Sequence, residues 1–317
     1  MSRVLTQHIK GGSRTLPPLE NITMITPLVT RILAQNGGPY TLQGTNTYLV
    51  GKGSERLLID TGSGNPEYIP VLKEAMNKAG CETLKGIIIT HWHHDHLGGV
   101  PSIQQVFGNG NSIPVYKFMP KEMEKTFGKG EGAKDPFTIW PENKFVPLQS
   151  EQKLFCEGAT LRMVHTPGHA NDHIVIVLEE EGSMFSGDNV LGTGTGVFRD
   201  LGSYIRSLNV MLNLNPKSLY PGHGPVVADG PALIKEYISH RMKRLDQVKE
   251  ILSRTPLKAW TSSEIVQIIY PSLPENLVPP ATYNTMRVLQ ALQDDGKAEE
   301  RTRPEGDSVW ALVKEKL

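Results

Sequence analysis

The chain has 317 residues, 38% of them hydrophobic and 21% charged, and its formal net charge is zero. This length allows one large domain, or a domain with a small added module. The neutral charge argues against a generally basic protein that coats nucleic acid. No apolar run approaches the roughly 18 residues that a membrane span needs. Cys81 and Cys156, which have no CxxC spacing, indicate free thiols in a reducing, intracellular compartment.

Residues 1–20 are predicted to form a flexible N-terminal tail. The charged residues that precede Glu20 are all basic, namely Arg3, Lys10 and Arg14, and several Ser and Thr accompany them. This composition resembles that of a mitochondrial transit peptide, and an unstructured tail rich in Pro and Gly is the alternative. The mitochondrial matrix and the cytoplasm both stay open as locations.

Residues 21–255 are predicted to form a catalytic domain in which β-like runs alternate with helix-like segments. The predicted strands are, in chain order, TNTYLVG, RLLIDTG, LKGIIIT, GATLRMVHTPG, HIVIVLEEEGSMFSGD and SLYPGHGPVV. The first two are expected to pair across the turn GKGSE, and a turn at Glu181 and Gly182 divides the fifth. The segment PEYIPVLKEAMNKAG has a helical apolar period and ends in Gly, and residues 230–252 predict a long basic helix.

Four histidines and one aspartate lie within six positions of the stretch THWHHDHLGG, residues 90–99. The stretch follows the buried strand LKGIIIT, so its polar side chains are expected at a sheet edge where ligands from several strand ends converge. His91 and His93 are close enough along an extended segment to reach one metal ion. Asp95 and His96, at the start of the next helix, could reach a second ion.

The same pattern recurs at three later positions. His169 in HTPGHA, Asp188 in FSGDNV and His223 in YPGHGP each occupy a small glycine-containing loop directly after a β run. A lone histidine after a strand is usually a surface or capping residue. Five histidines and two aspartates in such loops are hard to explain by packing. Together they could supply ligands for two metal ions that need about four ligands each.

The stretch HWHHDH fits the H-x-H-x-D-H signature of the metallo-β-lactamase fold superfamily. Asp60 in LLIDTG, His169, Asp188 and His223 fit the other motifs of that family in the right order, so the chain resembles it over roughly residues 22–252. The stretches PYTLQGTNTYLVG, EGATLRMVHTPGHANDH, FSGDNVLGTGTGVF and YPGHGPVV…EYISHR are similar to the β-lactamase-like protein 2 subgroup. That subgroup includes a mitochondrial single-strand-specific endoribonuclease and fungal thioesterases that release polyketides from acyl-carrier proteins.

The resemblance implies an α/β fold, a four-layer αββα sandwich, that holds two zinc ions per chain. Iron or manganese could replace zinc, because histidine and carboxylate ligands suit all three metals. The implied ligands are His91, His93 and His169 for the first ion, Asp95, His96 and His223 for the second, and Asp188 for both. A hydroxide between the two ions is the implied nucleophile. Asp95 is accordingly predicted to be a catalytic residue as well as a ligand.

Three further residues are expected to lie near the metal site without binding the ions themselves. Asp60 resembles the carboxylate that holds the family's ligands in place without binding metal, and it is predicted to support catalysis in that way. His94 occupies the variable position of the motif and is expected not to be a ligand. His173 could form a hydrogen bond to a ligand or to substrate, which would make it catalytic, or it could cap a strand.

Residues 256–317 are predicted to form a winged-helix-like module. TSSEIVQIIY and PPATYNTMRVLQALQDDG predict two helices, and KAEERTRPEGDSVWALV predicts a hairpin with the turn PEGD. From Lys258 to Leu317 there are seven Lys plus Arg and nine Asp plus Glu, a net charge of −2. Because phosphate binding needs local cations, the module is expected to pack against the catalytic domain or to form part of a substrate groove.

The helix before this module carries the basic residues. They are Arg241, Lys243, Arg244, Lys249, Arg254 and Lys258. Arg241 and Arg244 are predicted to bind substrate from a basic face that is distant from the metal residues. The alternative is a solvated helical face, which is the usual meaning of such a run.

Three functions from different classes remain open. The favoured one is a zinc-dependent endoribonuclease that cleaves single-stranded RNA. The runner-up is a thioesterase or ester hydrolase that acts on acyl-carrier protein or acyl-CoA. A non-catalytic binding protein is the third, and the complete ligand set argues against it. A true β-lactamase is not expected, because the sequence shows no secretory signal peptide, and no membrane partner is expected either.

Overall fold

The computed structural model describes residues 16–108, 110, 112–121, 136–254, 258–304 and 306–313. Most of the predicted tail, and Glu305 of the turn PEGD, lie outside the described residues. The strands are β1 (Ile22–Thr26), β2 (Val29–Leu33), β3 (Asn46–Val50), β4 (Glu55–Ile59), β5 (Thr83–Ile89), β6 (Val115–Phe118), β7 (Phe145–Leu148), β8 (Lys153–Cys156), β9 (Ala159–His165), β10 (Ile174–Leu178), β11 (Ser183–Gly187), β12 (Leu219–Pro221), β13 (Ala298–Thr302) and β14 (Ser308–Leu312). The helices are α1 (Tyr68–Ala79), α2 (His94–Leu97), α3 (Val100–Phe107), α4 (Pro136–Ile139), α5 (Leu201–Asn213), α6 (Gly230–Arg254), α7 (Ser262–Ile269) and α8 (Val278–Asp294), with 3₁₀ turns at Glu142–Lys144 and Glu275–Leu277.

Two sheets form the centre of the catalytic domain. Strands β1 to β7 make one sheet in chain order, antiparallel from β1 to β4 and parallel from β4 to β7. The second sheet has the order β12-β11-β10-β9-β8, with β11 and β12 parallel and the other neighbours antiparallel. Helices α1 and α3 pack on the outer face of the first sheet, and α5 and α6 cover the second. The predicted four-layer αββα sandwich is confirmed.

The continuous apolar strands of the sequence follow from burial on both faces of each sheet. In β4, Leu57 and Ile59 belong to the apolar cluster between the two sheets, whereas Leu58 belongs to the cluster under the helices. In β10, Ile176 likewise faces the opposite sheet and Val177 faces the covering helices. Successive strand residues point to opposite faces, so a strand that is buried on both sides needs apolar residues at every position.

The elements predicted from sequence in this domain are confirmed. Each run predicted as a strand contains one, and the turn at Gly182 separates β10 from β11. Helix α1 ends at Gly80, whose φ of 66° lies in the left-handed region that favours glycine at this position. Strands β1, β2, β6, β7 and β8 and helices α3, α4 and α5 were not predicted.

The C-terminal residues form the predicted winged helix. Helix α7 begins with a capping box between Thr261 and Glu264, and β13 pairs with β14 as an antiparallel hairpin. One apolar cluster joins the module to the helices over the second sheet, since it contains Leu208, Val248, Leu289 and Trp310. The module therefore packs against the catalytic domain, as its acidic net charge suggested.

Helix α6 connects the two parts of the chain. It has 25 residues and buries Leu233, Tyr237 and Arg241. It ends at Arg254, so Lys258 lies beyond the basic helix to which it was assigned. Within the described part of the chain, no helix combines the length and the apolar character needed to cross a membrane.

Candidate active site

The predicted metal ligands come together at the strand ends. His91 and His93 follow β5, Asp95 and His96 lie in α2, and His169, Asp188 and His223 follow β9, β11 and β12. They form two groups, within each of which the ligand atoms all lie within 4.8 Å of one another. The histidine group is His91, His93 and His169. The acidic group is Asp95, His96, Asp188 and His223.

In the histidine group, three ring nitrogens converge on one point. His91 Nε2 and His169 Nε2 each lie 2.9 Å from His93 Nδ1. A neutral imidazole carries one nitrogen with a free lone pair, and this is the form that binds metal. Three converging nitrogens are therefore the arrangement expected around a divalent cation.

The acidic group surrounds a second point with two carboxylates and two imidazoles. His223 Nε2 lies 3.1 Å from Asp95 Oδ2 and 3.3 Å from Asp188 Oδ2. His96 Nε2 lies 3.4 Å from each of the same two carboxylates. Asp188 Oδ2 is also 3.7 Å from His169 Nε2 of the histidine group, so this carboxylate stands between the two groups.

The outward nitrogens of His91 and His169 each have a partner of their own. His169 Nδ1 donates to the Val197 carbonyl at 2.8 Å. His91 Nδ1 lies 3.0 Å from the Thr90 hydroxyl, whose own proton goes to Asp60. With the protons placed on these outward nitrogens, the inward Nε2 atoms of His91 and His169 keep free lone pairs.

Asp60 lies behind the acidic group, where the sequence-based prediction put it. Its Oδ2 accepts from His96 Nδ1 at 2.7 Å, and its two oxygens accept from the backbone N–H and the hydroxyl of Thr90 at 2.8 Å. Its backbone has a φ of 58°, which is uncommon for a residue other than glycine and is a form of strain often found at functional sites. Asp60 thus contacts His96 of the acidic group and Thr90, the residue that precedes His91 of the histidine group.

The pKa values of the two groups shift in opposite directions. Burial, followed by the neighbouring imidazoles, holds the pKa of His91 and of His93 well below its usual value. Burial also lowers the pKa of His96, but Asp95, Asp188 and Asp60 outweigh it and raise that pKa well above the usual value.

His223 and the carboxylates follow the acidic pattern. Against the effect of burial, Asp188 and Asp95 raise the pKa of His223 to about 10. Burial raises the pKa of Asp188 and of Asp95, but His223 and His96 outweigh it and hold both values well below the usual range. Without a cation, the histidine group is neutral and the acidic group is a network of ion pairs.

Two buried atoms of the acidic group take part in ion pairs but have no hydrogen-bond partner among the described residues, which suits a cation between them. They are His96 Nε2 and Asp188 Oδ1, which lie 3.4 Å apart. The loop that carries Gly222 packs so closely here that any side chain would clash, because a Cβ added to Gly222 would lie 2.3 Å from Asp188 Oδ1. The glycine in YPGHG lets this loop reach the cluster. A donor set of imidazoles and carboxylates around such atoms suits zinc, iron or manganese.

His173 and His94 occupy different surroundings. His173 is fully buried, and its Nε2 accepts from the backbone N–H of Asp188 at 3.1 Å while its Nδ1 lies 3.1 Å from the Thr166 hydroxyl. It therefore supports a residue of the acidic group from behind and does not face the cleft. His94 is exposed and belongs to neither group.

Several residues that the sequence did not single out also support the site. Thr90 and Val197 are the partners described above. Lys117, on β6, forms a fully buried ion pair with Asp172, which belongs to the loop that follows His169. A buried lysine inside a strand has no recognisable spacing, whereas Thr90 could have been suspected from its place directly before the cluster.

A cleft of about 1390 Å³ opens above the two groups, between the catalytic domain and the winged helix. The loop Leu191–Phe198 and helix α6 line one side, and the start of α8 and the segment before it line the other. Tyr40, which is 68% exposed, stands at the rim. The module therefore forms part of the groove as well as packing against the domain, the two alternatives left open by the sequence.

Arg241 and Arg244 both line this cleft together with residues of the two groups, so they belong to the wall of the cleft and not to a face separate from it. Arg241 is 3% exposed, because its guanidinium stacks over Phe198 at 4.9 Å and donates to the Gly196 carbonyl at 2.6 Å. Arg244 is half-buried, and its guanidinium lies 4.3 Å above the ring of Tyr270. Of the two, Arg244 is the more exposed to the cleft.

The comparisons with known proteins identify the family. Residues 40–223 match the model of the metallo-β-lactamase superfamily. The chain belongs to this superfamily. Residues 261–310 match the β-lactamase associated winged helix domain, which agrees with the hairpin and helices of the C-terminal module. Members of this superfamily are metal-dependent hydrolases.

Two curated relatives cover most of the chain. The β-lactamase-like protein 2 homolog of Drosophila melanogaster is 41% identical over 283 residues, which is 87% of this chain and 91% of that protein. An atrochrysone carboxyl ACP thioesterase of Aspergillus chevalieri is 40% identical over 297 residues, covering 92% and 89% of the two chains. The resemblance to this subgroup is confirmed, and its two kinds of member match almost equally well.

Solved structures share the fold. A β-lactamase domain protein from Burkholderia ambifaria has a TM-score of 0.77 at 19% identity and covers 99% of each chain. A metallo-β-lactamase family protein from Thermus thermophilus has a TM-score of 0.70 at 22% identity, covering 92% of this chain and 100% of its own. At these identities the likeness shows the architecture alone.

Proposed function

We propose that the protein is a dinuclear zinc endoribonuclease that cleaves single-stranded RNA. Its catalytic domain would span residues 21–255 and its winged-helix module residues 256–317. The proposed ligands are His91, His93 and His169 for one ion, Asp95, His96 and His223 for the other, and Asp188 for both. Iron or manganese would suit the same donors.

Two divalent ions held here would supply hydroxide at neutral pH and stabilise the negative charge that develops on the attacked group. The protein's contribution is to fix the ligand side chains. Asp60 keeps the proton of His96 on Nδ1, which leaves Nε2 free to bind. His173 holds the Asp188 backbone, and its buried position makes it a positioning residue rather than a group that meets substrate.

The observation that carries the RNA proposal is the combination of Arg244 with aromatic rings in an oversized cleft. Small-molecule sites occupy roughly 300–1,000 Å³, and this cleft is larger. Single-stranded nucleic acids bind by stacking bases on aromatic rings and pairing phosphates with cations. Tyr40 and Tyr270 are available for stacking, and Arg244 beside Tyr270 is available for a phosphate.

The direct test compares three substrates with purified full-length protein. Labelled single-stranded RNA, the same RNA as a duplex, and an acyl-thioester are incubated with and without chelator. We expect the single strand to be cut, the duplex to resist because its backbone cannot reach the recessed ligands, and chelator to stop cleavage. Brisk thioester hydrolysis without RNA cleavage under any condition would refute the proposal.

Arg244 provides a sharper test. Arg244→Glu should reduce RNA cleavage and weaken its salt dependence, because a phosphate contact that releases counterions is lost. Lys243→Glu is the matched control, since it makes the same charge change at an exposed neighbour outside the cleft. Equal losses in both variants would assign the effect to general charge and not to a contact at Arg244.

A thioesterase is the second candidate, and the apolar lining of the cleft favours it. Leu191, Val248, Ile269, Leu273 and Leu277 line the walls, and such surfaces suit an acyl or polyketide chain. The carrier protein would be acidic, so exposed cations such as Lys243 could receive it. In the three-substrate assay this function predicts thioester hydrolysis that is insensitive to Arg244→Glu.

A further inference from the structure

The loop Leu191–Phe198, here called the cleft loop, contains the sequence LGTGTGVF and has no helix or strand. It nevertheless determines the orientation of a proposed metal ligand, because the Val197 carbonyl accepts the Nδ1 proton of His169 at 2.8 Å. Glycine-rich backbone loses much conformational entropy when it is ordered. Other parts of the molecule must therefore hold this carbonyl in place.

Helix α6 holds the cleft loop with two side chains one turn apart. The Tyr237 hydroxyl donates to the Gly194 carbonyl at 2.7 Å and accepts from the Leu191 N–H at 3.0 Å. Arg241 donates to the Gly196 carbonyl at 2.6 Å. Both side chains are buried, so these bonds are protected from water.

The winged-helix module supplies two further hydrogen bonds to the cleft loop through Asn284 of α8. Its Oδ1 accepts from the Phe198 N–H at 3.3 Å, and its Nδ2 donates to the Gly196 carbonyl at 3.4 Å. Gly196 and Phe198 are the neighbours of Val197 on either side. One side chain of the module therefore spans the residue whose carbonyl receives the His169 proton.

We propose that Asn284 is a positioning residue for the metal site, acting through the Val197 carbonyl on His169, so that the winged-helix module helps to set metal affinity. Arg241 holds the neighbouring Gly196 carbonyl from α6, which explains why it is buried rather than free for substrate. The inference rests on the proposed ligand role of His169. Loss of an outer partner of a ligating histidine typically costs about 10–100-fold in metal affinity or activity.

The test measures zinc affinity by competition with a chelator in the full chain. Asn284→Leu removes both hydrogen bonds at nearly constant volume and should weaken zinc binding by about tenfold. Asn284→Asp keeps the bond from the Phe198 N–H and should restore part of that loss. Gln293→Leu, the same kind of change on the exposed surface of α8, should leave zinc affinity unchanged.

Two further measurements separate the explanations. A purely structural Asn284 would lower the melting temperature of the chelated protein without changing zinc affinity, and that result would overturn the inference. If Asn284→Leu does not fold, the Asp variant carries the test, and zinc affinity equal to the native value would again overturn it. His169→Ala checks the premise: unchanged zinc binding there would refute the ligand assignment itself, whereas a strong loss there beside normal binding in Asn284→Leu would refute the inference alone.

Discussion

The histidine group and the acidic group lie side by side, yet they differ in the charge their side chains carry when no cation is bound. In the first, burial and mutual repulsion hold the pKa values of His91 and His93 down, so the rings are neutral. In the second, Asp188 and Asp95 hold His96 and His223 in the protonated form. A cation entering the first group meets free lone pairs, whereas one entering the second must displace protons.

The difference indicates how the fold holds the two groups. Protonation does not stabilise the histidine group, because burial and the neighbouring rings disfavour the charged forms of His91 and His93. Its buried nitrogens stay in contact because Thr90 fixes the ring of His91 and Val197 fixes the ring of His169. The acidic group is already joined by ion pairs. We therefore expect the first group to depend more on a metal ion for its geometry, and the second to depend more on pH for its affinity.

The largest effect is expected from Asp188→Ala, because this carboxylate stands between the groups. Its loss should reduce hydrolysis to below detection and lower metal content at both proposed positions. His91→Ala should abolish activity too, but leave the acidic group able to bind one ion. Metal content by mass spectrometry of the folded variants distinguishes the two. Two ions retained in Asp188→Ala would contradict the shared role.

The second prediction concerns pH. Because the raised pKa of His223 is about 10, this ring is protonated at neutral pH in the metal-free protein, and metal must displace that proton. The affinity of the acidic group should fall as pH drops from 8 to 6, by about tenfold per pH unit for each proton displaced. The lowered pKa values of His91 and His93 predict almost no such slope for the histidine group.

The raised pKa of His223 also makes the free energy of unfolding depend on pH. A raised folded-state pKa stabilises the metal-free protein fully below the usual value for histidine, and this contribution is lost as pH rises through about 10.

Calorimetry in buffers of different ionisation enthalpy measures the protons released on zinc binding. Release of no protons at pH 7 would show that the acidic group is not the proton-linked one.

The third prediction uses Asp60, which contacts His96 directly. Asp60→Ala should weaken metal affinity or activity by about 10–100-fold, the usual cost of losing an outer partner. The loss should be larger in the acidic group, since the His96 ring is freed directly, whereas His91 is affected only through Thr90 and the His169–Val197 bond stays intact. Zinc titration with a chelator that resolves two affinities measures this. A loss as complete as that of His91→Ala would mark Asp60 as a ligand.

The two groups could be predicted from the sequence because their residues lie in short motifs directly after strands. His91, His96 and Asp188 each follow an apolar run, and apolar runs buried on both faces are easy to recognise. Strands such as β7, with the sequence FVPL, were missed because their four residues are two-thirds of a usual strand and include a proline.

Contacts between distant parts of the chain could not be predicted. Asn284 and Val197 are 87 positions apart, and nothing in a helix such as α8 indicates which loop its polar residue will reach. The burial of Arg241 could not be predicted either, since a basic residue in a charged helix normally indicates solvent exposure. Its burial depends on the rings of Phe198 and Tyr204, which only the fold brings together.

The smallest effect is expected from a substitution of His173. It distinguishes a residue that positions Asp188 from one that takes part in the reaction. His173→Leu leaves the buried Asp188 N–H without its acceptor, which should cost about 1–3 kcal/mol in the free energy of unfolding. Because Asp188 is the proposed ligand of both ions, zinc affinity should fall in both groups together and by less than in Asp60→Ala. Chemical denaturation and the two-affinity zinc titration measure the two effects. A catalytic His173 would instead show a large fall in kcat with normal stability and normal zinc affinity, and that pattern would reassign it to the reaction.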